Sequence, residues 1–202
     1  KINNKNKIIC IDNLSSSSIS NIRDLLLDDR FFFSNQSINN EIFLNINKID
    51  YIINLACKAS PKLYQETPID TLDTCYIGTK NLLDLANKYN SRFLMASTSE
   101  IYGDPLYNVQ TENYNGNVNC IGIRACYDEG KRIAETLCIN YKTEYETNVS
   151  IARIFNTYGP YMNENDGRIT PNFIKQCISN EDITIYGDGS QTRSFCYVDD
   201  LI

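Results

Sequence analysis

A tyrosine and a lysine four residues apart, Tyr127 and Lys131, are the residues of this sequence best suited to chemistry. The surrounding pattern predicts a helix, where this spacing places both side chains on one face. A tyrosine hydroxyl loses its proton at about pH 10, so it is a base at neutral pH only if a fixed positive charge lowers its pKa. Lys131 can supply that charge. An exposed pair on a helix surface would have the same spacing, so the elements around the pair must decide between the two interpretations.

Segments typical of strands and helices alternate along the chain, as in a parallel sheet with crossover helices. The predicted strands are 7–11, 30–33, 51–55, 91–96 and 149–155. The predicted helices are 21–29, 69–89 and 127–145, and 61–68 is predicted to be a loop. After residue 159 the pattern predicts shorter pieces, namely a helix over 170–179 and strands over 183–186 and 194–198.

These patterns predict an α/β fold with two regions. Residues 1–158 are predicted to form a Rossmann-like, doubly wound parallel sheet that binds a dinucleotide. Residues 159–202 are predicted to begin a smaller substrate-binding region. Polar residues at 97–100 follow a predicted strand, and open α/β sheets bind ligands at the carboxyl ends of their strands.

Composition excludes several classes of partner. The 202 residues are 42% apolar, enough for one sizeable core, and the net charge is −6 with no basic block. Nucleic acids and anionic membranes favour clustered Lys and Arg, so neither is an expected partner. The longest apolar runs, such as 51–56, are too short to span a membrane.

Eight cysteines are spread along the chain without a paired spacing. The sequence has no histidine and no Cys-x-x-Cys motif, so no metal site is predicted. Cys10, Cys126 and Cys138 lie in apolar-periodic segments, where a free thiol behaves as a small hydrophobic group. We therefore predict reduced and mostly buried cysteines.

The two ends of the sequence are unusual for such a fold. Dinucleotide-binding folds open with a strand and a glycine-rich turn that holds the pyrophosphate, and no such turn precedes Ile8. The chain begins without methionine and stops at Ile202, within what is predicted to be a passage from a strand to a helix. We expect the chain to be a fragment cut at both ends.

Three segments of this sequence resemble the extended short-chain dehydrogenase/reductase family that acts on nucleotide sugars. They are Ser97-Thr98-Ser99-Glu100-Ile101-Tyr102-Gly103-Asp104-Pro105, Arg124-Ala125-Cys126-Tyr127-Asp128-Glu129-Gly130-Lys131-Arg132 and Gly189-Ser190-Gln191-Thr192-Arg193. Within the family, the motifs are most similar to those of the UDP-glucuronate decarboxylase group. The resemblance runs from about Lys7 to the last residue.

The resemblance implies a Ser/Thr-Tyr-Lys triad formed by Thr98, Tyr127 and Lys131, with Tyr127 as the base. It also implies that Ser99 and Glu100 act around the sugar C5, although Glu100 could instead cap its loop. The implied reaction starts with NAD-dependent oxidation of UDP-glucuronate at C4. The resulting β-keto acid loses CO2, and protonation at C5 and reduction at C4 then give UDP-xylose.

Two alternatives to decarboxylation stay open. Sugar 4,6-dehydratases such as dTDP-glucose 4,6-dehydratase resemble this chain, but they usually carry an acidic pair where Ser99 stands, because expelling a hydroxyl group as water needs a general acid. Another nucleotide-sugar epimerase or dehydratase would belong to the same class. The second alternative is an inactive fragment or pseudoenzyme that acts only as a binding module.

The resemblance also implies binding residues for the cofactor and the UDP-sugar. The cofactor would contact Tyr127 and Lys131 together with Asp12, Asn13, Leu55, Ala56, Thr74, Ala96 and Thr157. The carboxylate of Asp12 would bind ribose hydroxyls and repel a 2′-phosphate, which favours NAD over NADP. The UDP-sugar would contact Asn156, Asn172, Tyr186 and Arg193, with Arg193 as a clamp on the diphosphate.

Four positions depart from the family pattern. Ser37 stands where relatives place an aspartate that meets the adenine, and Phe43 stands where a tyrosine is expected near the substrate. Cys120 and Ile123 replace two prolines in the loop before the catalytic helix, which should loosen that loop.

The resemblance further implies a homodimer that pairs through helices 69–89 and 127–145. It implies a cytoplasmic location, or the Golgi lumen if an amino-terminal anchor is missing.

Overall fold

The computed structural model describes residues 6–202, and within them every strand pairs in parallel with its neighbours. One ladder joins β1 (Ile8–Ile11) to β2 (Phe31–Ser34). A second has the spatial order β3 (Tyr51–Asn54), β4 (Arg92–Thr98), β5 (Val149–Ile154). The predicted α/β class with a parallel sheet is confirmed. No ladder joins β1 to β3 within residues 6–202, so these five strands form two separate hydrogen-bonded groups.

Helices connect the strands of the main sheet, as parallel pairing requires. The α-helices are α1 (Pro61–Glu66), α2 (Pro68–Asp73), α3 (Thr79–Tyr89), α4 (Ala125–Tyr145), α5 (Ile169–Ile178) and α6 (Val198–Leu201). Short 3₁₀ helices cover Ile19–Ile22, Leu25–Leu27 and Ser99–Tyr102. None of the helices within residues 6–202 combines the length and the apolar character needed to cross a bilayer.

The predicted helix 69–89 is present but not uniform. It comprises α2, a π-helical turn over Thr74–Gly78, and α3. A π-turn accommodates one extra residue per turn and is often found near functional sites. Gly78 ends this turn against Ile38, whose Cδ1 atom lies 2.6 Å from the position that a Cβ on Gly78 would take. Only a glycine fits there without displacing Ile38.

The prediction of a loop over 61–68 was wrong. Residues Pro61–Glu66 form α1, which begins after Ser60 with proline in its first turn, a position that suits the fixed φ of proline. Tyr64, on this helix, is 1% exposed, so burial of its ring helps to hold the helix.

The predicted helix over 21–29 was also wrong, because the segment contains only two short 3₁₀ helices. Leu25, Leu26 and Leu27 are all exposed, Leu27 by 88%. Without a surface on which to bury an apolar face, a short helix gains little stability.

The predicted strand 183–186 does not form, and the predicted strand 194–198 shortens to β7 (Cys196–Tyr197). The side chain of Gln176 accepts a hydrogen bond from the amide of Thr184 and donates one to its hydroxyl. In a strand, the amide of Thr184 would instead bond to the backbone of a neighbouring strand. β7 pairs with β6 (Thr157–Tyr158), across the boundary predicted at 158/159. That boundary stays a prediction.

The core lies between the helices and one face of the β3–β4–β5 sheet. Helices α3 and α4 supply its helical side, and Phe93 and Met95 of β4 supply its floor. Its other buried members are Ile38, Leu82, Leu83, Ala86, Ala134, Cys138 and Tyr141. This packing fixes α4, which carries Tyr127 and Lys131, above the carboxyl end of β4.

The opposite face of this sheet is exposed over several apolar residues. Alternation along β3 and its register with β4 place Tyr51, Ile53 and Leu94 on that face, and they are 65%, 58% and 36% exposed. Leu55, directly after β3, is 69% exposed. We call these four residues the open sheet face.

Candidate active site

The site lies where the parallel strands end, since their carboxyl ends share one edge of the sheet. β4 ends at Thr98, and α4 crosses above it. Tyr127, Lys131 and Thr98 are 6%, 4% and 7% exposed, so all three predicted triad members are brought together in a buried setting.

Lys131 is held against the strand and not against the phenol oxygen. Its ammonium group donates a 2.9 Å hydrogen bond to the carbonyl oxygen of Ala96 and lies 6.0 Å from the centre of the Tyr127 ring. The same bond places Ala96, a predicted cofactor contact, beside the triad. Thr98 accepts a hydrogen bond from the amide of Glu100 and caps the 3₁₀ helix that follows.

The protonation of Tyr127 differs from the expectation based on spacing. Burial raises the pKa of Tyr127, the thiol of Cys57 raises it further, and a hydrogen bond with Thr98 opposes the shift. Desolvation disfavours the charged phenolate, and this effect outweighs nearby positive charge. Tyr127 is therefore protonated at neutral pH in this structure. Its role as the base, for which the resemblance counts on the positive nicotinamide as well as on Lys131, stays a prediction.

Tyr64 is a site residue that sequence reasoning missed. Its ring stacks on that of Tyr127, with ring centres 4.9 Å apart and planes 6° from parallel. Its hydroxyl oxygen is buried without a hydrogen-bond partner among the described residues. The signal in the sequence was the Ser-Pro pair at Ser60-Pro61, which marks a helix start.

A partly buried ion pair between α4 and β5 was also missed. Glu135 of α4 accepts hydrogen bonds from Ser97, at 2.5 Å, and from Arg153 of β5, at 2.8 Å. Arg153 also donates to the hydroxyl of Tyr102, at 3.0 Å. The pair therefore ties β4, β5, α4 and the segment after Thr98 into one polar cluster. No local sequence pattern predicts this cluster, because its residues are far apart in the sequence.

Glu100 makes an ion pair with Arg124, the residue that precedes α4. Its side chain is 33% exposed, and Ser99 beside it is partly exposed. Glu100 is thus tied to the residue before α4 and fastens the loop after Thr98, and its role around the sugar C5 stays a prediction.

The predicted cofactor residues lie at the ends of three strands and on the π-turn. Asp12 follows β1, and its carboxylate accepts hydrogen bonds from the amide of Leu14 and the hydroxyl of Ser17. Asn13 is exposed and accepts a hydrogen bond from the amide of Ser15. Asp12 and Asn13 therefore shape the serine-rich loop after β1.

Hydrogen bonds with neighbouring residues position several of the other predicted cofactor residues. Asn54, buried at the end of β3, accepts a hydrogen bond from the amide of Ala56 and donates one to Thr79 of α3, which fixes the Leu55–Ala56 turn. Thr74 donates to the carbonyl of Asp70 and accepts from Asn39. Thr157 lies in β6, one strand end further along.

The predicted substrate residues are only partly assembled. The amide of Asn156 donates to the carbonyl of Ser194 at 3.4 Å, and Asn172 lies in the first turns of α5, where it donates to Gly167. Tyr186 and Arg193 lie in the irregular segment 181–195, and Tyr186 is 71% exposed. The structure does not bring these two side chains against the triad, so their roles stay predictions.

The four departures from the family pattern are near or on the surface. Ser37 accepts a hydrogen bond from the amide of Asn39, and Phe43 is 71% exposed. Cys120 is exposed and Ile123 is 77% exposed in the loop before α4. The side chains packed against Tyr127 are those of Tyr64, Cys57, Cys126 and Lys131, and not these four.

The parallel sheet with crossover helices is a Rossmann-like α/β fold, and the candidate site lies at the carboxyl ends of its strands. The model of the NAD dependent epimerase/dehydratase family matches residues 2–202, and the chain belongs to that family. This confirms the resemblance inferred from the motifs.

Curated relatives sharpen the comparison. The chain is 48% identical over 200 residues to UDP-glucuronic acid decarboxylase 6 of Arabidopsis thaliana, covering 99% of this chain and 57% of the relative. It is 45% identical over 196 residues to UDP-glucuronic acid decarboxylase 1 of Xenopus tropicalis, covering 97% of this chain and 46% of the relative. The chain spans about half the length of the curated relatives it matches.

Solved structures share the fold. A UDP-glucose 4-epimerase of Thermotoga maritima with UDP-glucose superposes with a TM-score of 0.85 at 28% identity, covering 98% of this chain and 63% of that one. A UDP-glucuronic acid 4-epimerase of Bacillus cereus, in complex with UDP-glucuronic acid and NAD, gives 0.81 at 26% identity, with 96% and 62% covered. The Rossmann-like fold is confirmed, and NAD is the cofactor of this family.

Proposed function

We propose that the protein containing this chain is an NAD-dependent decarboxylase that converts UDP-glucuronate to UDP-xylose and CO2. The observation that carries the proposal is the buried convergence of Thr98, Tyr127 and Lys131 at the end of β4 in a chain 48% identical to a UDP-glucuronic acid decarboxylase. Residues 1–158 would bind the cofactor, and residues 159–202 would begin the region that binds the sugar nucleotide.

Several of the residues predicted to contact the cofactor suit NAD. Asp12 supplies a carboxylate for ribose hydroxyls, the Leu55–Ala56 turn is fixed by Asn54, and the Ala96 carbonyl is held by Lys131. When bound, NAD would accept hydride from C4 and later return it. Its positive ring would also supply the charge that lowers the pKa of Tyr127 from its raised value.

In the proposed mechanism Tyr127 takes the proton of the C4 hydroxyl, and the hydroxyl of Thr98 holds that oxygen in line. The C4 carbonyl makes the C5 carboxylate a β-keto acid, so the C–C bond to CO2 breaks and its electrons enter an enolate. Ser99 and Glu100 would lie around C5, where a proton is then added. Tyr127 finally returns its proton to the C4 oxygen. One proton is consumed for each CO2 released.

The residue at position 99 favours decarboxylation over dehydration. Loss of the C6 hydroxyl as water requires a general acid beside it, and the hydroxyl of Ser99 is too weak an acid for that step. An oxidised intermediate that retains a carboxylate needs no such acid. This is the observation against a 4,6-dehydratase.

The test uses the complete protein with UDP-glucuronate and NAD, and it follows the nucleotide-sugar by NMR and the gas as bicarbonate. UDP-xylose with stoichiometric CO2 is the expected result. UDP-galacturonate without CO2 would indicate an epimerase. A 4-keto-6-deoxy product formed only from dTDP-glucose would indicate a dehydratase, and either result would overturn the proposal.

We also propose that the complete protein is a homodimer that pairs through helices 69–89 and 127–145. Apolar side chains on these helices are exposed in the single chain, including Ile69 at 69%, Tyr76 at 45%, Ile133 at 41% and Ile139 at 52%. Such a surface is typical of a protein interface. Sedimentation of the complete protein as a monomer at micromolar concentration would contradict this.

A further inference from the structure

Two cysteines beside the candidate site are within reach of each other. Cys57 lies in the loop after β3, and Cys75 lies in the π-turn between α2 and α3. Their Sγ atoms are 3.4 Å apart, and both are free thiols. A disulfide bond measures about 2.05 Å, so the sulfur atoms need to approach by roughly 1.4 Å to form one.

This pair adjoins residues of the proposed mechanism. Cys57 packs against the buried cluster of Tyr64, Cys126 and Tyr127. Cys75 packs on Gly130, which lies between Tyr127 and Lys131 on α4: a Cβ built there would lie 3.1 Å from the Cys75 sulfur. Any movement of either thiol therefore changes the surroundings of Tyr127.

The two thiols differ in the way that stepwise oxidation requires. Cys57 is partly exposed, whereas Cys75 is 1% exposed. A hydrogen bond from Cys75, assisted by the ammonium group of Lys131, lowers the pKa of Cys57, and the same pairing raises the pKa of Cys75. The accessible thiol is thus the better nucleophile. The third nearby thiol, Cys126, is directed to the carbonyl oxygen of Tyr64.

We propose that Cys57 and Cys75 form a reversible disulfide with a low-molecular-weight disulfide as oxidant, and that the bond switches off the Tyr127 site. Cys57 attacks one sulfur of the oxidant, which releases one small thiol and leaves a mixed disulfide. Cys75 then attacks Cys57 Sγ and releases the second small thiol. The two cysteines lose two electrons and two protons, and the oxidant is reduced to two thiols.

Peptide mapping of this chain tests the bond without any assay of activity. The chain is equilibrated with oxidised glutathione, alkylated, digested and analysed by mass spectrometry. A cross-linked pair of peptides containing Cys57 and Cys75, lost on addition of dithiothreitol, is expected. In Cys75→Ser the glutathione adduct should remain on Cys57. The matched control Cys177→Ser, which removes an exposed thiol on α5, should form the bond as the parent does.

Three results would contradict the proposed bond. The first is absence of the Cys57–Cys75 peptide, and the second is preferential pairing of Cys57 with Cys126. The third is an internal disulfide at Cys57 that persists in Cys75→Ser. The switch rests on the proposed function and is tested on the complete enzyme. Oxidation should lower kcat at least tenfold, and dithiothreitol should restore it. Cys57→Ser, which can form neither the glutathione adduct nor the bond, should lose this sensitivity. An oxidised enzyme with full turnover would overturn the switch. A reduced enzyme without decarboxylase activity would instead refute the proposed function and leave the mapping result intact.

Discussion

Tyr127 is buried, and burial disfavours the negative charge that its proposed role as a base requires. Burial raises the pKa of Tyr127, and the ammonium group of Lys131 donates its hydrogen bond to the carbonyl oxygen of Ala96. The contribution of Lys131 is therefore to fix the strand end and the helix relative to each other as much as to add charge. A positive charge supplied by a bound cofactor would lower the pKa of Tyr127 again.

Replacing Tyr127 with phenylalanine in the complete enzyme should abolish turnover. Loss of a general base and acid costs about 10² to 10⁴ in rate, and the ring stacking on Tyr64 is retained. NAD affinity, measured by calorimetry, should change less than about threefold, since a single hydroxyl is lost. The measurement is kcat for UDP-xylose formation.

The control is Tyr107→Phe, which removes a hydroxyl from a side chain that is 64% exposed on a loop. It should keep the activity of the parent. Turnover in Tyr127→Phe within a factor of ten of the parent would remove Tyr127 from its role as the base.

Among the elements, the Glu135–Arg153 pair couples the catalytic helix to the sheet. The side chains are 12% and 26% exposed, so either charge left alone would be poorly solvated. Glu135→Gln and Arg153→Met should each destabilise the fold by on the order of 2 kcal/mol. The double variant should cost less than the sum, because no charge is then left unpaired. Urea unfolding of the four proteins measures the coupling.

The matched control is the exposed pair Lys48–Asp50, with side chains 74% and 63% exposed. The corresponding Lys48→Met and Asp50→Asn cycle should show no coupling above experimental error, because solvent screens exposed charges. Additive effects of the two substitutions at Glu135 and Arg153 would contradict the proposed linkage of α4 to β5.

Tyr141 links α4 to α3 through a hydrogen bond that depends on pH. Its hydroxyl donates to Asp84 at 2.5 Å. Burial, together with this bond, raises the pKa of Tyr141 to about 12. A raised pKa favours the protonated form in the folded state, so the stabilisation is complete below the unfolded value of about 10 and is lost as the pH rises through about 12.

Tyr141→Phe should therefore lower the free energy of unfolding by about 1 kcal/mol at neutral pH and by progressively less above about pH 10. Denaturant unfolding from about pH 8 to about pH 12 measures the difference from the parent. Tyr107→Phe is again the control and should show no such trend. A difference that stays constant up to about pH 12 would show that the bond to Asp84 does not set the pKa of Tyr141.

Considering the whole molecule, the sequence predicted those elements whose local pattern and packing agree. β3 and β4 are continuous apolar runs, and α4 has a clear helical period, so each was placed within two residues of its ends. The spacing of four placed Tyr127 and Lys131 on one face of α4, and the triad itself was implied by the family resemblance. The parallel pairing then brought Thr98 to it, because strand ends share an edge.

The rest depended on contacts that no local pattern contains. Tyr64 is held by stacking across 63 positions of the chain, and the ion pair of Glu135 with Arg153 depends on the sheet register. The segment 183–186 has the composition of a strand but meets a side chain of α5 where it would need a neighbouring strand. Propensity is a weak guide wherever tertiary contacts decide.

The open sheet face gives the final prediction at this scale. Tyr51, Ile53, Leu55 and Leu94 form an exposed apolar surface, and we expect it to promote self-association of this chain and binding of apolar dyes. Replacing Ile53 and Leu94 with threonine keeps strand propensity while it reduces the apolar area. The fluorescence of bound anilinonaphthalene sulfonate and the light scattering should fall severalfold. The matched control replaces Leu106 and Ile121 with threonine. These side chains are 72% and 92% exposed but lie on loops, so neither signal should change. Equal effects of the two double variants would show that total apolar exposure, and not this surface, governs association.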